Sequence, residues 1–562
     1  MREPRKHPYL SRLKQHFAEG RVCRREFLRT ATLLGLSAAS AYGFVGKVTG
    51  ERFAGAARAQ DMPQDMPQDM PLGGRLRIAM PLHDVSSPHT YEWVGQHNVT
   101  RNVCEYLTKT GHDNITQPYL LESWEASDDL RTWTLYLRQD VTWRSGRAFT
   151  ADDVIWNLER VLDEKTGSSM LGLMKGYLLE EVEEGGEMRS RLWDASAIER
   201  LDEHRVRLNC KVPQLAVPEH LFHYPFHILD PEEGGRFGPG SNGTGAFELI
   251  DMEVERKALL QARKGYWGEG PFLESLEFVD PGDDPAAAVD ALAAKRVHGL
   301  HSIDVVQLEA LKLMPHLVLY DVPTADTAVV RGKVNQPPFD DPRVRRALRL
   351  AVDPQMTRQI ILGDLGLPAE HHHVCPIHPE YARLAETKRD VAAAQALLAE
   401  AGYADGLDLG KIDCKSSPSW EFNAVQAMVE QWKEAGIRCK VNLMSSGEFW
   451  KIWDSTAFGF TEWAHRPLGV MALSLGYRSG VPWNESNYAN PEFDQLLTEA
   501  EGILDAGERR AVMAKIEALL QEDGPIVQPI WHSAMTVMDQ RVKGFRMHPT
   551  RYIFGNELAI ES

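Results

Sequence analysis

Apolar and polar positions alternate in GGRLRIAM, from Gly73, and predict a first strand. Asn98 to Leu107 has a helical spacing of apolar residues. RTWTLYLRQDVTW, Arg131 to Trp143, alternates with aromatic and β-branched residues, the pattern of a half-buried strand. TADDVIWNLERVLD changes period. Thr150 can cap, Asp153 sits three residues on, and Val154, Trp156, Leu158, Val161 and Leu162 form an apolar face, so a helix starts there. His204 to Val212 reads as another strand. SNGTGAFELIDMEV reads as a glycine turn into a strand, and a further strand follows RKGYWGEGPF. AAAVDALAAKRVHGL is a short helix.

A second region opens near Tyr320 with the strand-like TADTAVVRGKVN. FDDPRVRRALRLAVD starts a helix with Asp341 as cap and Pro342 at its first position. RDVAAAQALLAEAGY is a helix stopped by Gly402. GLDLGKIDCK, SWEFNAVQAMVEQWKEAG and IRCKVNLM read as strand, helix and strand, with Gly436 closing the helix: a βαβ unit. NPEFDQLLTEAEGILD and GERRAVMAKIEALLQED are two helices, and IVQPIWHSAMTVMD is strand-like. The class is α/β, with more than one lobe and no internal repeat.

Charge divides the chain. Of its 562 residues, 25% are charged and the net charge is -18. Residues 1–59 carry +8, which leaves -26 from Gln60 onward. Such acidity argues against a nucleic-acid surface. In the basic leader, Arg24 and Arg25 precede Phe27 and Leu28, and an uncharged run extends from Thr30 to Gly46. That run is rich in Ala, Gly and Ser and short for a membrane span. Ala57-Arg58-Ala59 fits a small-x-small cleavage site. The leader resembles a twin-arginine export signal, cleaved after Ala59 or retained as an anchor. DMPQDMPQDMP, Asp61 to Pro71, repeats a proline every four residues and reads as a tether.

Candidate chemistry is sparse. HExxH, GxSxG, GxxxxGK[ST] and calcium-loop spacing are absent. Cys23 lies in the leader. Cys104, Cys210, Cys375, Cys414 and Cys439 show no CxxC spacing and suggest free thiols. Cys414 ends one strand and Cys439 begins its parallel neighbour, which holds them too far apart for a disulfide. EHHHVCPIHPEY offers His371, His372, His373, Cys375 and His378 as metal ligands. Its spacing fits no zinc template, and its two prolines make it a polar surface or hinge-side loop. Among fourteen tryptophans, Trp93, Trp463 and Trp483 sit in loops beside glycine, proline or polar residues, a setting suited to ligand platforms.

Seven blocks carry a family resemblance. Tyr119-Leu-Leu-Glu-Ser-Trp-Glu-Ala-Ser-Asp-Asp runs on through TWTLYLRQDVTWRSGRAFTADDVIWNLERV. SNGTGAFELIDMEVERKALLQARKGYWG, QPPFDDPRVRRALRLAVD and AAAQALLAEAGYADGLDL follow in order. NYANPEFDQLL and IVQPIWHSAMTVMDQRVKGF complete the series. They resemble extracellular solute-binding protein family 5, the peptide/nickel-type binding components of ABC importers. The resemblance implies a two-lobed, type II, cluster C-like periplasmic-binding-protein fold of three domains with a two-crossing hinge. On this chain the export signal is 1–59 and the linker 60–72. Domain I is 73–105, 203–321 and 534–562, domain II is 106–202, and domain III is 322–533. The crossings fall near Asp321 and Ser533.

The resemblance also implies site residues. Glu92 matches an acidic ligand-contacting position, followed by Trp93 and Val94. Ser446 to Trp453 matches a segment that offers an aromatic side chain, so Phe449 or Trp450 is a candidate, with one of the two packing inward. In peptide-binding relatives a tryptophan in the segment TEWAHRPLG is followed three residues later by an aspartate that receives the ligand ammonium. Here Trp463 is followed by Arg466. A guanidinium suits a carboxylate or phosphate, with His465 as an added donor or a pH-dependent charge. The alternative is that Arg466 pairs with Glu462. The resulting expectation is a monomeric, periplasmic binding protein without cofactor, metal or catalysis. It captures a small solute, peptide-like or an anionic, sugar or opine-like conjugate, and delivers it to ABC permease subunits. A metal-chelate binder using the His371–His378 loop, an exported hydrolase and a receptor-coupled sensor are the competing readings.

Overall fold

The computed structural model describes residues 7–50, 70–282, 284–385, 387–416 and 419–561. Its spine is one twelve-stranded mixed sheet. The main path runs Phe247–Glu253, Lys257–Ala262, Ser275–Val279, Arg75–Ala79, Gly299–Leu300, Ile530–Asp539, Leu317–Gly332, Phe458–Trp463, Leu407–Lys415 and Ile437–Met444. The first five strands build one lobe and the last three the other. The two long strands between them, Leu317–Gly332 and Ile530–Asp539, are antiparallel neighbours and belong to both.

These two strands are the connections between the lobes. Their register runs from Leu317 opposite Asp539 to Val322 opposite Ala534, then resumes at Asp326 opposite His532. Pro323, Thr324 and Ala325 therefore face Ser533 alone. Such a bulge interrupts the ladder and bends the pair. The Thr324 hydroxyl donates to the His532 carbonyl at 2.6 Å and accepts from the Asp326 N–H at 2.8 Å, so the bulge is bonded internally.

Local chemistry explains the elements. Thr150 and Asp153 form a capping box at the head of helix Ala151–Leu162. Of the five residues expected on its apolar face, Val154, Leu158, Val161 and Leu162 are buried and Trp156 is half-buried. Asp341 caps the helix that Pro342 opens. Helix Ser419–Glu434 joins the parallel strands Leu407–Lys415 and Ile437–Met444, which is the βαβ unit. All six cysteines are free thiols. A separate four-stranded sheet contains Leu121–Ala126, Thr132–Leu137, Arg205–Asn209 and Ile198–Asp202. It draws its third strand from beyond residue 202.

Three sequence expectations shift. The helix expected over Asn98–Leu107 is Val94–Thr100. Beyond it, the Asn102 carbonyl accepts from Phe247 N–H at 2.9 Å and the Val103 carbonyl from Gly245 N–H at 2.8 Å. Sheet-type bonds to a distant segment thus capture the carbonyls that would have continued the helix. The strand expected over Arg131–Trp143 ends at Leu137, where the chain turns through the Arg138–Asp140 pair. The leader, read as a segment apart, forms three helices, Tyr9–Ala18, Arg24–Leu33 and Ala38–Thr49, that pack on the body and bury Phe27, Leu28 and Leu34. The cleavage motif, and the tether up to Asp69, lie outside the described residues. Among the described residues no helix is long and apolar enough to cross a membrane.

The glycines of SNGTGAF act through close approach. A Cβ on Gly243 would lie 2.0 Å from the Val103 carbonyl oxygen, and one on Gly245 would lie 2.6 Å from that of Asn102. Gly243→Ala must push two backbone segments apart and should cost about 1–3 kcal/mol. Chemical denaturation should show a lower midpoint with an unchanged slope, and an unaltered midpoint would contradict the packing described.

Candidate functional site

The parallel strands of both lobes aim their carboxyl ends at one interlobe cleft. In the first lobe Arg75–Ala79, Ser275–Val279 and Gly299–Leu300 run parallel. Just past their ends lie His83, Asp280 and His301, which line the cleft. In the second lobe Leu407–Lys415, Ile437–Met444 and Phe458–Trp463 run parallel and deliver Lys415, Ser445 and Trp463 to the facing wall. Crevices outside the carboxyl ends of parallel strands are where open α/β sheets hold ligands. The cavity enclosed is about 470 Å³, the volume of a small solute site.

Aromatic rings form much of its wall. The Trp463 indole N–H donates to Glu485 at 2.8 Å. Glu485 in turn accepts from Arg331 and from the Thr461 hydroxyl at 2.8 and 2.6 Å, so a buried ion pair fixes the ring from behind. Trp483 stands edge-on to Trp463 at 5.9 Å and to Trp453 at 6.0 Å. From the first lobe, Trp93 packs against His83 and His301. Trp450 reaches the cavity with the Lys415 ammonium 4.8 Å over its ring, whereas Phe449 is fully buried in the core. Phe449 thus falls outside the site, because the short helix Ser446–Phe449, held by the Ser445–Glu448 capping box, turns that ring inward.

Charged groups cover the cleft floor. Lys415 meets Glu421 at 2.9 Å and Glu462 at 3.5 Å. Arg551, from the C-terminal tail, meets Glu462 at 2.9 Å and Asp326 of the hinge bulge at 2.8 Å. Burial pushes Glu462 up, but Lys415 and Arg551 outweigh it and hold its carboxyl at about 2. Burial pushes Glu421 up to about 8 and Asp326 up to about 6, in each case against a nearby cation.

Arg466 does not pair with Glu462, because Lys415 and Arg551 already take that carboxylate. Its guanidinium donates to the carbonyls of Ala464 and His465 at 2.8 and 3.0 Å and to the Tyr224 hydroxyl at 3.1 Å. It lies over the Tyr224 ring at 4.8 Å and near Trp483 at 5.9 Å. Its Nε is buried without a partner, and no carboxylate among the described residues pairs with it. At neutral pH three cations, Arg466, Lys415 and Arg551, therefore face the ionised Glu462 and Asp326 and the part-ionised Glu92.

His465 does not reach the main cavity. Its Nδ1 accepts from Ala325 N–H at 3.0 Å and its Nε2 bonds Asn114 of the first lobe at 2.9 Å. Burial holds its pKa well below the usual range, so it stays neutral, neither a ligand donor nor a variable charge. The His371–His378 loop is buried, where a polar surface loop was expected. His371 accepts from Gln528 N–H, His372 from Val374 N–H, and His373 bonds the Tyr477 hydroxyl. His378 accepts from Cys375 N–H and bonds the Arg466 carbonyl at 3.0 Å. Backbone and hydroxyl partners, with Glu370 and Glu517 beside His372, disperse these imidazoles, and no group of three metal-ligating side chains gathers among the described residues. The loop instead supports the segment that carries Arg466.

Glu92, Trp93, Val94, Trp450, Trp463 and Arg466 thus come together on one cavity, while Phe449 and His465 do not. Sequence reasoning missed Lys415, Arg551, Tyr224 and Trp453 as lining residues. A lysine ending a strand before a turn was the one available signal, for Lys415.

Such a cleft between two sheet lobes defines a periplasmic-type binding protein. The family model described as bacterial extracellular solute-binding proteins, family 5 (middle) matches residues 116–503, and the chain belongs to that family. It is 24% identical over 487 residues to the dipeptide-binding protein DppE of Bacillus subtilis, covering 82% of this chain and 88% of DppE. In fold it is similar to the murein tripeptide binding protein MppA of Escherichia coli. There the TM-score is 0.76 and the identity 20%, over 88% of this chain and 99% of that one. AgaA of A. tumefaciens R10, solved in complex with agropinic acid, aligns with TM-score 0.75 and 21% identity over 87% and 99% of the two chains.

Glu92 connects the lobes by protonation. It is a first-lobe carboxyl pushed up from 4.5 to about 7 by burial, with Trp453 and Asp454 of the second lobe facing it. A carboxyl raised in the folded state gives its full stability below the unfolded value, and that stability is lost as pH rises through the folded one. The contribution of Glu92 to thermal stability should thus fall between about pH 4.5 and 7, opposite in sign to that of the buried neutral histidines. Glu92→Gln should remove that contribution, so the melting-temperature difference between variant and native protein should change across this range, and a difference constant with pH would refute the assignment.

Proposed function

We propose that this protein is the solute-binding component of an ABC importer and that its cargo carries a carboxylate or a similar anion. The single observation behind the anion is Arg466, a cleft guanidinium with no carboxylate partner. A charge desolvated in a cleft is costly unless paired, and a bidentate carboxylate is the natural partner for a guanidinium. An ammonium at that position would meet the Arg466 guanidinium. The platforms Trp463, Trp483 and Trp93 would hold the remainder of the solute, and Glu92 would accept a hydrogen bond or donate one when protonated. The agropinic acid complex of AgaA supports the reading that this fold accommodates acids other than peptides. MppA and DppE, named for peptides, leave a peptide bound in another orientation as the nearest alternative.

In this reading the domains divide as 73–105, 203–321 and 534–562, then 106–202, then 322–533, with the strand Arg205–Asn209 joining the sheet of the second. The monomer is exported to the periplasm through the twin-arginine leader, cleaved after Ala59, and hands its cargo to membrane permease subunits. Titration calorimetry with short peptides and with carboxylate-bearing solutes tests the cargo. Arg466→Gln should weaken an anionic solute roughly 10- to 100-fold, the value of one charge-assisted pair. Tight binding of ordinary dipeptides, unaffected by Arg466→Ala, would sink the proposal.

A further inference from the structure

The N-terminal helices make contacts that a detached leader would not. Between them and the body runs a line of four buried charges. Arg509, on helix Ala506–Asp523 of the second lobe, donates to Glu26 at 2.9 Å. Glu26 also accepts from Arg29 at 3.2 Å, and Arg29 donates to Glu219 of the first lobe at 2.8 Å. All four side chains are at most 3% exposed. Glu26 is held below the usual carboxylate range although burial opposes it, because Arg29 and Arg509 both act on it.

The helices also engage each lobe separately. On the second lobe, the Tyr9 hydroxyl bonds Asp505 at 3.0 Å and Arg12 pairs with Glu508 at 3.3 Å. On the first, the Trp124 indole donates to the Leu33 carbonyl at 2.8 Å and the Tyr42 hydroxyl bonds Asp113 at 3.1 Å. Phe17 stacks on Phe27 at 4.6 Å, and Phe44 closes the cluster at 5.3 Å from Phe27. The twin arginines Arg24 and Arg25 stay exposed while the apolar residues after them are buried.

We propose that the two lobes together form a docking site for the chain's own residues 9–49, and that this segment, while attached, straps the lobes in the closed arrangement. The argument is one of charge. Arg509 and Glu219 belong to different lobes, and their buried partners are Glu26 and Arg29 of the segment. Opening the cleft separates Arg509 from Glu219, so either Glu26 or Arg29 must leave its partner. A buried pair broken on one side leaves an uncompensated charge, which resists the motion. Hinge opening is therefore restrained until the segment departs.

Two measurements on the full chain test this without any solute. In a Cys23→Ser, Cys439→Ser background, spin labels are placed at the exposed Ile250 of the first lobe and Ile360 of the second. The full chain should give one narrow distance, and Glu26→Ala with Arg29→Ala should add a second, longer one. An unchanged distribution would overturn the strap. For a sample that has already folded with its native residues, a specific-protease site inserted after Gln60 allows cutting after purification. The segment should co-elute with the body at micromolar concentration, and denaturant-assisted release followed by exchange into buffer should populate the longer distance. Immediate separation of the cut segment would overturn the docking site. Neither readout involves a solute, so each is independent of the cargo proposal.

Discussion

Arg551 is the charge on which the closed molecule depends. It arrives from the C-terminal tail of the first lobe and meets Asp326 in the hinge bulge and Glu462 in the second lobe. One guanidinium thus ties together the hinge, the floor of the cleft and both lobes. Its partners are buried, and a buried carboxylate without a cation would be severely penalised. Lys415 completes the arrangement by sharing Glu462 and meeting Glu421. The long strands Leu317–Gly332 and Ile530–Asp539 supply the mechanical continuity, and Asp326, where their register resumes, links the network to the hinge.

The balance of that network shapes the chemistry of the cleft. Glu462 is held by Arg551 and Lys415, and it does not pair with Arg466. Arg466 rests on Tyr224 and on carbonyls of its own segment, and His378 beneath fixes that segment through the Arg466 carbonyl. The buried histidine loop serves the site by positioning its backbone. The same rule, that each buried charge needs its partner, governs the back of the molecule, where Glu26 and Arg29 complete a line begun by Arg509 and Glu219.

Much of the fold was legible because its elements carry local signatures. The capping box at Thr150, Pro342 after Asp341, Gly436 closing a helix and the alternating strands all appear where their chemistry predicts. Two features show where local pattern stops. Asn98–Leu107 has a helical pattern, yet backbone bonds from Gly245 and Phe247, far along the chain, end the helix early. The leader has the composition of a detachable signal, and its partners Glu219 and Arg509 lie hundreds of residues away. Local pattern cannot register a distant partner.

The same division runs through the site. Sequence by itself determined the α/β class, the βαβ unit, the resemblance to family 5 and the reversal of charge at Arg466, because each is written in neighbouring residues. Tertiary structure alone decided that Trp450 faces the cleft while Phe449 packs inward, and that His465 turns away to Asn114. It alone brought Lys415, Tyr224 and Arg551 to one cavity. The physical reason is that orientation and pairing of buried groups are settled by competition among all available partners. Arg466 is without a carboxylate partner in an arrangement where Lys415 and Arg551, the latter 85 residues further along, hold Glu462.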